Sequence, residues 1–208
     1  MRLVFISDTH TYHQGLSVPD GDVLIHAGDM TRKGELGDLL AFNAWLGELP
    51  HPHKLVIAGN HDWCWAEDRA ACEQLLSNAT YLEDAVASLG GLRFYGTPWQ
   101  PDFHNWAFNL PRGQPLREKW LLIPRDTDVL ITHTPPRGIL DRTERDELAG
   151  CDDLREIVAL LGPRIHIFGH IHEAYGSQTI GPTTYLNASS IDRRGQSINP
   201  PLVIDLNK

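Results

Sequence analysis

Cysteine is scarce in this chain. Cys64, Cys72 and Cys151 are the only three in 208 residues, and no two of them stand in CxxC spacing. That argues against a disulfide framework and against a zinc–thiolate site, and fits reduced thiols in a cytoplasmic protein. Long apolar runs are missing as well; none approaches the ~18 residues of a membrane span. The opening run Leu3-Val4-Phe5-Ile6 stops at Ser7-Asp8, short of the roughly 7–15 residues of a signal core, and reads as a first strand. Positive charge is in deficit: 18 Lys and Arg against 27 Asp and Glu leave a net charge of −9. Basic residues gather only in short pairs such as Arg32-Lys33 and Arg193-Arg194, so a grip on long nucleic acid is not expected. There is no GxxxxGK[ST] phosphate loop and no Gly-x-Ser-x-Gly elbow. No internal repeat or low-complexity stretch breaks the chain, and its length suits one domain over residues 1–208.

What is present is a set of five apolar runs, each ending in polar residues of the metal-binding kind. Leu3–Ser7 leads into Asp8-Thr9-His10, and Val23–Ala27 into Gly28-Asp29. Leu55–Ala58 leads into Gly59-Asn60-His61-Asp62, Val129–Thr132 into His133, and Ile165–Phe168 into Gly169-His170-Ile171-His172. Short β-branched runs bounded by Gly and polar residues read as buried strands. Sites in open α/β sheets lie beyond the carboxyl ends of their strands. The spacing of Asp8 with His10, and of His170 with His172, puts each pair on one side of an extended segment. Mixed carboxylate and imidazole donors suit Mn, Fe, Zn or Co better than Ca or Mg alone.

The other histidines fall elsewhere. His26 and His166 lie inside apolar runs and read as core residues with satisfied hydrogen bonds. His13, His51, His53 and His104 lack partner spacing and read as surface or loop residues. Helices are predicted over the Leu36–Leu49 stripe closed by Pro50, over Glu67–Leu76, and over Leu154–Leu161 stopped by Gly162-Pro163. Asp153 and Glu156 match a capping box for the last. Ala85–Leu89, Gly90-Gly91 and Leu92–Gly96 predict a hairpin; Thr183–Asn187 and Leu202–Leu206 predict later strands. Residues 98–124 read as a long ordered loop, rich in aromatics, with one short helix near Leu116–Leu122. Hairpins mixed with βα units indicate a mixed sheet or two packed sheets.

The ordered set Asp8-x-His10, Gly28-Asp29, Gly59-Asn60-His61-Asp62, His133 and Gly169-His170-x-His172 resembles the calcineurin-like metallophosphoesterases, over nearly the whole chain. Phe42-Asn43-x-Trp45-Leu46-Gly47, Phe108-Asn109-Leu110-Pro111-Arg112-Gly113 and Asn199-Pro200-Pro201 are similar to the MPPED subgroup, which includes bacterial cyclic-nucleotide phosphodiesterases. Some members of that subgroup carry Gly in place of His170 and have a crippled second metal site; His170 is kept here. The resemblance implies an α/β fold, a four-layer α/β/β/α sandwich of two mixed sheets flanked by helices. It implies two divalent transition-metal ions, Mn, Fe or Zn. The first would be held by Asp8, His10, Asp29 and His172, the second by Asp29, Asn60, His133 and His170, with Asp29 shared. A metal-bridging hydroxide would attack phosphorus, with His61 as acid or transition-state stabiliser and Asp62 orienting it.

The expected activity is hydrolysis of small phosphodiesters, 2′,3′- or 3′,5′-cyclic nucleotides among them. The alternatives are a broad phosphomonoesterase, a repair-type nuclease disfavoured by charge, and a catalytically weak scaffold. Trp63, Trp99, Trp106 and Phe108 are candidates for stacking a base, or else for packing the loop onto the core. The expected partner is a small phosphoester or nucleotide. No membrane partner is expected, and a homodimer stays open, since no seam is legible.

Overall fold

The computed structural model describes residues 1–192 and 199–206; the Arg193-Arg194 pair lies outside the described residues. Along the chain come β1 (Arg2–Ile6), β2 (Val23–Ala27), α1 (Leu36–Glu48), β3 (His53–Ile57), α2 (Trp63–Glu67), α3 (Arg69–Leu75), β4 (Thr80–Tyr81), β5 (Ala85–Leu89) and β6 (Leu92–Thr97). There follow β7 (Gln100–Pro101), β8 (Asn109–Leu110), α4 (Gln114–Trp120), β9 (Val129–Thr132), α5 (Asp152–Leu161), β10 (Ile165–Phe168), β11 (Gly176–Ile180), β12 (Thr183–Asn187) and β13 (Leu202–Asp205).

Two sheets carry the fold. The first has the order β13-β1-β2-β3-β4 and the second β11-β12-β10-β9-β6-β5. Strands β1 to β4 pair parallel, as do β6, β9, β10 and β12. Antiparallel strands β13, β5 and β11 finish three of the edges. Side chains alternate across each strand, and this sorts the apolar residues into three cores. Leu3, Phe5, Val23, Ile25, Leu55 and Ile57 meet Phe94, Val129, Ile131, Ile165 and Ile167 between the sheets. Their neighbours Val4, Ile6, Leu24 and Val56 face outward to Leu39, Phe42, Trp45, Leu46 and Cys72 of the first helical layer. Leu130 and Phe168 face outward to Leu116, Trp120, Leu154, Ile157 and Val158 of the second. This is the expected α/β/β/α order.

The same alternation puts His26 and His166 on the outer faces, under the helices. His26 is satisfied as expected: Nε2 bonds Thr9 Oγ1 at 3.0 Å and Nδ1 accepts from the Gly28 N–H. His166 is satisfied only at Nε2, by Thr132 Oγ1 at 2.9 Å; its buried Nδ1 has no partner among the described residues. His13 and His51 lie in connecting segments, as read, but are buried: the His13 ring packs on Phe42 and Trp45 of α1, and His51 Nε2 meets Pro19 O at 3.0 Å.

Three predicted features differ, and one strand is unpredicted. The buried face of α1 is Leu39, Phe42, Trp45 and Leu46, while Leu36 and Leu40 are exposed. The Glu67–Leu76 helix is two helices broken at Asp68, whose carboxylate accepts from the Ala71 N–H and caps the second. Asp153 and Glu156 form no capping box; both carboxylates go to Arg117 of α4 instead. Strand β11, mostly polar, was not legible as a strand and is ordered by pairing with β12. Residues 98–124 are tied down by the β7–β8 pair and by α4. The hairpin forms as predicted, with Gly90 and Gly91 both at positive φ, as its tight turn requires.

Candidate metal centre

Every parallel strand named in the sequence pattern delivers its polar residues to one end of the molecule. The sheets touch there: Ser7 bridges Ser189, and the Ser190 N–H donates to Ser7 O. Asp8, His10, Asp29 and His170 all adopt positive φ, a strained conformation for non-glycine residues at about 1–3 kcal/mol each. So Asp8–His10 and His170–His172 are turns, not the extended segments expected, and their side chains converge by a different route. Backbone bonds hold the strain: Asp8 N–H to Gly28 O, and His10 N–H to Asp29 O. The Asp8 carboxylate accepts from His170 N–H at 3.1 Å and from Ser189 Oγ at 2.9 Å.

All seven predicted ligands come together. His10 Nε2 lies 3.6 Å from Asp29 Oδ2, and His172 Nε2 lies 3.4 Å from Asp8 Oδ1. His133 Nε2 lies 3.4 Å from Asp29 Oδ2 and 3.0 Å from Asn60 Oδ1, which is 2.8 Å from His170 Nδ1. Asp29 thus stands between two clusters.

The donors fit a pair of divalent ions. Nδ1 of His10 faces Thr31 O at 3.1 Å, and Nδ1 of His133 faces Ala27 O at 2.9 Å. A carbonyl only accepts, so each neutral ring carries its proton on Nδ1 and turns the Nε2 lone pair toward Asp29. Acceptors so placed need a proton or a cation between them. The carbonyl bonds are also the usual device that orients a ligating imidazole. Asp8, His10 and His172 form one group with ligand atoms within 4.8 Å of one another; Asp8, Asp29 and His133 form a second, and His10, Asp29 and His61 a third.

Electrostatics agree. Burial alone would raise the Asp8 carboxyl, but His172, His133 and His10 hold it well below the ordinary range. Asp29 is lowered against its burial by His133 and His10. Burial pulls His133 down, yet Asp29 beside it lifts it to about 9. His170, buried and next to His133, falls to about 3 and so offers a neutral ring.

Asp62 does not orient His61. Its fully buried carboxylate accepts from the backbone N–H groups of Asp29, Met30, Thr31 and Gly59 and from Thr31 Oγ1, at 2.8–3.2 Å. Asp62 therefore clamps two ligand-bearing turns together. Burial and the Asp29 charge push it up to about 6, and the five donors favour the ionised form. The Arg32 carbonyl, 2.8 Å from His61 Nδ1, orients the catalytic candidate instead.

A cleft of about 620 Å³ opens over the centre, lined by His10, Asp29, Asn60, His61, His170 and His172 and by Arg32, Lys33, Phe103, His104 and Trp106 among others. Of the four stacking candidates only Trp106 lines it. Phe108 is buried in the first helical core, and Trp63 of α2 and Trp99 pack against it. Phe103, half-exposed, and His104 reach the cleft in their place. Nothing in the local sequence distinguishes Arg32 as a partner of His61, because its carbonyl makes the contact.

Residues 1–174 match the family model of the calcineurin-like phosphoesterases. The chain belongs to that family. It is a metal-dependent phosphoesterase of α/β/β/α architecture. It is 45% identical over 230 aligned residues to human metallophosphoesterase domain-containing protein 1, covering 99% of this chain and 71% of that one. A UPF0046 protein of Caenorhabditis elegans is 40% identical, covering 100% and 76%. Among solved structures, the phosphopantetheinyl hydrolase of Mycobacterium tuberculosis superposes with a TM-score of 0.60 at 15% identity, covering 90% of this chain and 88% of that one. Among the described residues no helix is long and apolar enough to cross a membrane.

Proposed function

We propose that this metallophosphoesterase hydrolyses small phosphodiesters, cyclic nucleotides among them, with two divalent ions. The observation that carries the reading is the pair of donor clusters sharing Asp29 at the floor of a cleft whose rim holds His61, Arg32 and Lys33. Asp8, His10, Asp29 and His172 would hold one ion, and Asp29, Asn60, His133 and His170 the other; Mn, Fe and Zn all suit these donors. When bound, such ions clamp phosphoryl oxygens and lower the pKa of water.

The chain's own groups do the rest. Arg32 and Lys33 attract the phosphate into an otherwise acidic protein. His61 donates its Nδ1–H to the Arg32 carbonyl, so it is the imidazolium form, protonated at both nitrogens, that would give its Nε2 proton to the leaving oxygen as the P–O bond breaks, leaving a neutral ring with its proton on Nδ1. The cleft's volume and the protein's charge favour a small ester over a polymer. The test is hydrolysis by Mn-, Fe- or Zn-loaded protein of 2′,3′- and 3′,5′-cyclic nucleotides, an aryl diester and nucleoside monophosphates. Diester cleavage abolished by chelation is expected. Cleavage of monoesters alone, or activity that survives complete metal removal, would overturn the reading.

A further inference from the structure

Trp106 is half-buried, but it does not pack as its loop neighbours do. Its indole lies on the imidazole of His61, with ring centroids 4.1 Å apart and planes at 32°. A second ring, His10, meets His61 edge-on at 4.6 Å. The loop is pinned to the same turn, because the Ala107 N–H donates to Asn60 O at 3.1 Å. Trp99 behaves differently: its N–H goes to Asp84 and its ring meets Phe108.

From this geometry we infer that Trp106 is a positioning residue for His61. The inference rests on the reading of His61 as proton donor. One hydrogen bond, at Nδ1, restrains the two side-chain torsions only as far as that single bond is stiff, and leaves the ring room to tilt. A flat indole against the ring face removes the tilt and leaves Nε2 at one place over the cleft. Such fixing matters because proton transfer demands hydrogen-bond reach to the leaving oxygen, and a misplacement of about 1 Å can cost ~10²-fold in rate. With one face against His61, Trp106 is not free on that side to stack a substrate.

The test compares His61→Ala, Trp106→Ala, Trp106→Phe and the double variant, all metal-loaded, on aryl diesters of graded leaving-group acidity. Trp106→Ala is expected to lower kcat by about 10²-fold with little change in KM, and to lose most on the poorest leaving groups, which depend most on protonation. Trp106→Phe, which keeps an aromatic face, should recover much of the loss. The double variant should be no slower than His61→Ala, as expected for residues acting as a unit. A rise in KM at constant kcat would make Trp106 a substrate wall and overturn the inference. So would an additive loss in the double variant, or a loss that is uniform across leaving groups and accompanied by lower thermal stability or metal content. If His61→Ala itself shows no leaving-group dependence, the proton-donor reading falls. If His61→Ala behaves as expected while Trp106→Ala matches wild type, only the placement of Trp106 falls.

Discussion

Replacing Asp62 by Asn separates a catalytic role from an organising one. In the folded protein one carboxylate oxygen of Asp62 accepts three backbone N–H groups, from Asp29, Met30 and Gly59, and the other accepts the N–H and hydroxyl of Thr31. An amide must turn its NH2 toward one of these sets. The less costly choice faces Thr31, whose hydroxyl can rotate to accept but whose N–H is left without a partner. An orphaned buried donor costs about 1–3 kcal/mol, and the three remaining bonds each lose about 1 kcal/mol with the charge. Loss of the charge also relieves the burial and the Asp29 repulsion that push this carboxyl up to about 6, worth about 2–3 kcal/mol, so the net is roughly 2–4 kcal/mol, or about 5–15 °C in melting temperature for a chain of this size. The Asp29 turn loosens with it, so metal affinity falls too. Thermal unfolding of the metal-loaded and chelated forms, with metal content by elemental analysis, checks this. His61→Ala serves as the control: its melting temperature and two bound ions are expected to persist. An Asp62→Asn protein that melts within about 2 °C of wild type, carries both ions and loses only turnover would refute the clamp and restore Asp62 as the partner of His61.

Gly169→Ala should abolish most activity although residue 169 is itself no ligand. A Cβ there would lie 2.0 Å from Asp8 Oδ2 and 2.2 Å from Ser7 Oγ, displacing a metal-site carboxylate; wild-type turnover and metal content in this variant would contradict the packing. His166 gives a pH prediction. Burial lowers it from 6.5 to about 3, so between those values the unfolded chain binds a proton that the folded one refuses. Its contribution is fully present above pH 6.5 and is lost as pH falls toward 3, by roughly 4–5 kcal/mol in all. Denaturant midpoints against pH should therefore fall less steeply on the acid side for His166→Gln than for wild type; parallel curves would show that His166 is not held neutral.

Much of the metal centre is visible in the linear chain because each ligand follows directly on a strand. Once Leu3–Ile6, Val23–Ala27, Leu55–Ile57, Val129–Thr132 and Ile165–Phe168 are read as parallel buried strands, their polar ends have one place to meet. The alternation that buries Leu3 and Phe5 between the sheets also assigns Val4 and Ile6 to the helices, so the layers follow from the same residues. The misplaced elements have a common cause. Asp153, Glu156 and Asp62 carry side chains suited to a local role, a cap or a hydrogen bond to a neighbour, and tertiary contact offered each a better partner.

The sequence by itself set which polar residues stand at the strand ends, and in what order, because strand and candidate ligand are adjacent in the chain and the pattern needs no long-range information. Only the tertiary structure decided what surrounds His61. Its Nδ1 partner is a backbone carbonyl 29 residues away, and its stacking partner sits 45 residues on, in a loop whose aromatics look alike in sequence. Of these, Phe108 entered the core and Trp99 packs against it, while Trp106 reached the cleft. Aromatic character cannot separate those fates; the backbone bond from Ala107 to Asn60 and the β7–β8 pair do.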